Sequence, residues 1–118
     1  MTSPATVADA ADVLRTVVRD ILSRLGVPAG TGSVTRDVSL SCDARSTRWE
    51  YSVRASTVDT VDPVGLLRAG YGPAGWRVVD RSSPREQAVQ LSRDGYDLGV
   101  HVAGRTVVAG GSTPCFRA

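Results

Sequence analysis

The sequence predicts an α+β fold: a two-layer domain with a mainly antiparallel sheet of about six strands, one long N-terminal helix and one short helix. Three observations carry this. Apolar residues recur at three- and four-residue spacing from Val7 to Leu25, the period then changes to two, and tight-turn signals cut the second half into short alternating runs. With 118 residues there is material for one core, so a single domain spanning 1–118 is the economical arrangement.

The first helix rests on Val7, Ala10, Ala11, Leu14, Val17, Val18, Ile21, Leu22 and Leu25, which form one wide apolar stripe. Ser3-Pro4, or Thr6 with Asp9 three residues on, can open it. Asp9 and Asp12 near its start and Arg19 and Arg24 near its end complement the helix dipole. Gly26 supplies a left-handed cap and Pro28 stops continuation. The polar face is mixed in sign, which suits packing on a sheet better than lying on a membrane.

Val34, Val38, Leu40 and Cys42 then alternate with Thr35, Asp37, Ser39 and Ser41, predicting a strand with its apolar members inward and Arg36 as the exception. After a turn at Asp43 to Thr47, a second strand places Trp49, Tyr51, Val53 and Ala55 on its buried side. That register puts Cys42 near Trp49. Asp62-Pro63 starts the short helix, with Val64, Leu66, Leu67 and Tyr71 as its apolar face. Gly70, Gly72, Pro73 and Gly75 end it. Trp76 to Ser82 and Gln87 to Arg93 are the next strands, with Ser83-Pro84-Arg85 between them. Asp94-Gly95 is a two-residue hairpin signal leading to Leu98, Val100 and Val102. Gly104-Arg105 turns the chain into a last strand, Thr106 to Ala109, weakened beyond that point by Gly110-Gly111.

Cys42 and Cys115 are the only cysteines, and each closes a strand-like stretch. A bond between them would close most of the chain into one loop, a constraint worth about 4 kcal/mol in the chain-entropy picture. Persistent disulfides belong to oxidising compartments, so the pair predicts an exported protein, secreted or in the cell envelope. Met1-Thr2-Ser3-Pro4 has no positive n-region, apolar h-region or small-residue cleavage site, so export requires a leader outside these residues. The alternative is a cytoplasmic chain whose thiols stay reduced.

Signals for chemistry are sparse. The separation of the cysteines matches no zinc pattern, and His101 is the sole histidine, so no metal or cofactor is expected. His101 and Asp97 form the nearest histidine–carboxylate pair, yet four residues along a strand hold them about 13 Å apart, beyond triad reach. The Gly70–Gly75 segment follows a helix and precedes a strand, the reverse of a phosphate-binding loop. Every basic residue is arginine, but the net charge is only +2 and the strand aromatics alternate inward, which argues against nucleic acid. Tyr71 and Trp76, flanking a glycine-rich connector, are candidate binding residues. The competing reading makes them core residues around a tight reversal.

The stretches VSLSC, GPAGWRVVD and RDGYDLGVHVAGRTVVAGGSTPC resemble small actinobacterial exported or cell-envelope proteins, often lipoproteins, of unknown function. The arginine-rich, lysine-free composition suits a high-GC coding bias. The resemblance implies no catalytic residues, and any membrane contact would be through a lipid anchor outside this chain; the partner, a protein or an envelope ligand, is left unknown. The expectation is therefore a non-enzymatic binding or structural module of the envelope. An intracellular interaction domain is the alternative, and a small hydrolase comes third.

Overall fold

The computed structural model describes residues 6–59 and 61–117. Helix α1 (Val7–Arg24) opens on Thr6, whose hydroxyl accepts a hydrogen bond from the Asp9 amide at 3.1 Å. The other predicted opening, Ser3-Pro4, lies outside the described residues. At the far end Gly26 has φ +85°, and the Val27 amide donates back to the Leu22 carbonyl. Ala10, Ala11, Leu14, Val18, Ile21 and Leu22 are buried, so the sequence stripe is the buried face.

Six strands follow in a single sheet: β1 (Ser33–Asp43), β2 (Ser46–Ser56), β3 (Arg77–Asp80), β4 (Gln87–Arg93), β5 (Tyr96–Ala103) and β6 (Thr106–Ser112). A two-residue β7 (Phe116–Arg117) pairs with the start of β2. The spatial order is β1-β2-β6-β5-β4-β3, with every neighbouring pair antiparallel. Helix α2 (Pro63–Tyr71) starts where Asp62 accepts from the Gly65 amide, with proline in the first turn. Helix α1 packs on β2 and β6, and α2 on β3 and β4. Both helices thus cover one face, and the core lies between them and Tyr51, Val53, Val89, Leu91, Leu98, Val100, Val107 and Ala109. The opposite face is open.

The structure corrects three expectations. Strand β6 runs on to Ser112 through both glycines. The tail after Cys115 forms β7. The third correction concerns which way β1 faces. A register shift between Val34 and Arg36 places Asp37 opposite Tyr51 and Ser39 opposite Trp49, with Val38 opposite Glu50 and Leu40 opposite Arg48. Directly opposed residues share a face, so Asp37 and Ser39 lie on the helix side, while Val38 and Leu40 turn outward. One inserted residue inverts everything beyond it. Cys42 accordingly does not sit opposite Trp49; it occupies a second irregularity between Ser41 and Asp43.

Candidate binding face

Cys42 and Cys115 are bonded, with Cα atoms 6.3 Å apart, and no cysteine is free among the described residues. The bond ties the end of β1 to the segment between β6 and β7.

The candidate pair Tyr71 and Trp76 sits at the base of the α2-to-β3 reversal. Gly75 has φ +91°, a conformation that favours glycine, and the Trp76 amide donates to the Tyr71 carbonyl at 3.2 Å. The rings meet edge to face, 5.9 Å between centroids. Tyr71 is buried and Trp76 is half-buried against the core. The Tyr71 hydroxyl donates to Asp20 of α1, and the Arg24 guanidinium lies over its ring at 5.4 Å. Burial and that hydrogen bond push the phenol's pKa up. Tyr71 is thus tied into the joint between α1 and α2.

Arg24 is one of three arginines on α1 that lie over aromatic rings. Arg15 lies over Trp49 at 5.2 Å and Arg19 over Tyr51 at 5.8 Å. Around Asp37 the contact is densest: its carboxylate accepts from Arg15 at 3.0 Å and from the Trp49 indole N–H at 2.6 Å. The β1 inversion brings Asp37 here, and an inward-facing Val38 would have hidden this node from any sequence reading. Burial opposes the charged form of Asp37, but the hydrogen bonds from Arg15 and Trp49 outweigh it and hold its pKa below the ordinary value. A depressed folded-state pKa gives stability that is present above about pH 4 and is lost as pH falls through the folded value. Urea melts at pH 7 and pH 3 should therefore differ less for Asp37→Asn than for the parent. An unchanged difference would remove this role.

The open face carries a different pattern. Gln90, Gly99, Gly110 and Ser52 form one cross-strand row. One neighbouring row contains Ala88, His101, Val108 and Arg54, and the other Ser92, Asp97, Ser112 and Glu50. His101 is half exposed, and its Nδ1 lies 2.8 Å from Glu86 Oε1. Its carboxylate partner is therefore Glu86, not Asp97. Asp97 instead accepts from Gln90 Nε2 at 3.0 Å, and Gln90 Oε1 accepts from Arg81 Nε at 3.1 Å. A depression of about 270 Å³ is lined by Arg81, Ala88, Gln90, Asp97, Gly99 and His101. A wider one of about 570 Å³, between Pro28 and Thr106, has Arg54 as its sole ionisable lining residue.

Among the described residues no hydroxyl or thiol is hydrogen-bonded to His101 Nε2, and no three His, Cys, Asp or Glu side chains gather as metal ligands. No described helix is long and apolar enough to cross a membrane. Comparison with family models, curated proteins and solved structures finds no match to this chain.

Proposed function

We propose that this chain is a non-enzymatic binding module of an actinobacterial cell envelope, working outside the reducing cytosol and using its open sheet face for recognition. The Cys42–Cys115 bond is the observation that carries this reading, because such bonds persist in oxidising compartments. The two-layer build supports it as well: helices commit one sheet face to the core and leave the other uncovered. Among the described residues the Glu86–His101 pair has no nucleophile hydrogen-bonded to it.

Alkylation of the native protein in its host, before any reductant is added, tests the compartment. The expected result is no alkylated cysteine without reductant and two with it. Two reactive thiols at the outset would favour the intracellular interaction domain. A hydrolase screen tests the second half: activity abolished by His101→Ala would overturn the non-enzymatic reading.

A further inference from the structure

Three glycines cluster at the centre of the sheet, and they are there for different reasons. A Cβ on Gly110 would lie 2.6 Å from the Tyr51 carbonyl oxygen, and one on Gly111 would lie 2.7 Å from the Leu98 Cα. Backbone crowds both sites, so the fold itself excludes a side chain. Gly99 differs. Its nearest contact would be His101 Nε2 at 3.7 Å, an ordinary van der Waals distance, and its φ is not in the left-handed region. An alanine fits there. Glycine inside a strand weakens it, so the bare position costs stability without any packing or backbone need. What glycine does provide at position 99 is an uncovered floor for the depression between Arg81, Gln90, Asp97 and His101.

The walls of that depression hold unused hydrogen-bonding capacity. Gln90 spends both ends of its amide, receiving from Arg81 Nε and donating to Asp97 Oδ1, and so fixes both neighbours in place. Among the described residues this leaves the terminal nitrogens of Arg81 and Oδ2 of Asp97 without a protein partner. His101, with its Nδ1 2.8 Å from Glu86 Oε1, turns Nε2 toward Gly99. A cationic fork thus faces a carboxylate and an imidazole nitrogen across bare backbone. Such an arrangement complements one carboxylate with hydrogen-bond donors on the adjacent carbon.

We propose that the Gly99 depression is a binding site for a small carboxylate bearing a neighbouring amino or hydroxyl group, the chemistry shared by α-amino acids and sugar acids. Arg81 takes the carboxylate, Asp97 takes the donor group, and Gly99 keeps the floor clear beside His101 Nε2. At about 270 Å³ the depression is smaller than the usual drug-sized pocket, a size in keeping with one residue or one sugar acid. The proposal rests on the reading of this chain as a binding module and names the ligand class and place.

The test is an NMR titration of the disulfide-bonded chain with L-alanine and, separately, D-gluconate, each to about 10 mM, the range expected for so small a ligand. Saturable shifts of the Gly99 amide, the Gln90 side-chain amide and the His101 ring are expected with at least one probe. Which probe responds distinguishes an amino acid from a sugar acid. Gly99→Val should weaken binding by at least about tenfold, and Arg81→Gln should do the same. Gly99→Ala should raise the melting temperature by about 2–4 °C. If Gly99→Val does not fold, Arg81→Gln decides alone, since Arg81 lies on the surface. Absence of shifts with both probes, or binding unchanged in Arg81→Gln, would overturn the proposal. That failure would leave the disulfide and export reading intact, whereas free thiols in the host would remove that reading without affecting these shifts.

Discussion

Cys115→Ser is expected to lower the free energy of unfolding by about 2–5 kcal/mol, a large share of what a domain of this size has. The bond spans 73 residues, so its loss enlarges the unfolded ensemble substantially. The native state feels it too. Strand β1 is one edge of the sheet, paired only with β2 among the described residues, and nearly all its side chains are exposed. Strand β7 is two residues long. The bond joins the end of this edge strand to the short tail, so cutting it frees the tail from β1. Urea melts of the oxidised parent, the reduced parent and Cys115→Ser should place the last two together and well below the first. A Cys42→Ser/Cys115→Ser double variant should add little to either single change, because one interaction is being removed. A loss below about 0.5 kcal/mol in all three comparisons would show that the bond contributes no stability.

Local signals in the sequence mapped faithfully onto the structure, and register did not. The α1 stripe, the Asp62-Pro63 start of α2 and the Asp94-Gly95 turn each depend on neighbours in the chain. Asp94 indeed has φ +50° and Gly95 φ +85°, the pair of positive values a type I′ turn needs. Alternation along β1, by contrast, gives the period without the phase. The register shift after Val34 reversed the phase and left no mark that composition could reveal. The Glu86–His101 contact was within reach. The Asp94-Gly95 hairpin pairs Arg93 with Tyr96, and counting outward pairs Gln87 with Val102. Glu86 is the next step, a diagonal neighbour of His101. Proximity in sequence favours Asp97, whereas the hairpin's geometry points to Glu86. The Asp37 node was not readable at all, since it joins a helix, an inverted strand and a tryptophan from three separate segments.

The two crowded glycines support the second large prediction. Gly111→Ala should cost about 3 kcal/mol, as overpacking against immovable neighbours does. The added methyl would lie 2.7 Å from the Leu98 Cα and closer still to the Asp97 carbonyl oxygen. Both are backbone atoms of the adjacent strand, so no rotamer change relieves the contact. Either β5 and β6 separate locally or the Leu98–Gly111 pairing is lost. This explains why the strand continues through a Gly-Gly pair that sequence rules would read as its end: the glycines allow the close approach that keeps β6 between β2 and β5. Gly99→Ala is the internal control, because it adds the same methyl to the same sheet with its nearest contact at 3.7 Å. Urea denaturation of the two variants should show them on opposite sides of the parent, with Gly111→Ala unfolding at the lower midpoint. If Gly111→Ala unfolds within about 0.5 kcal/mol of the parent, crowding is not what places glycine there.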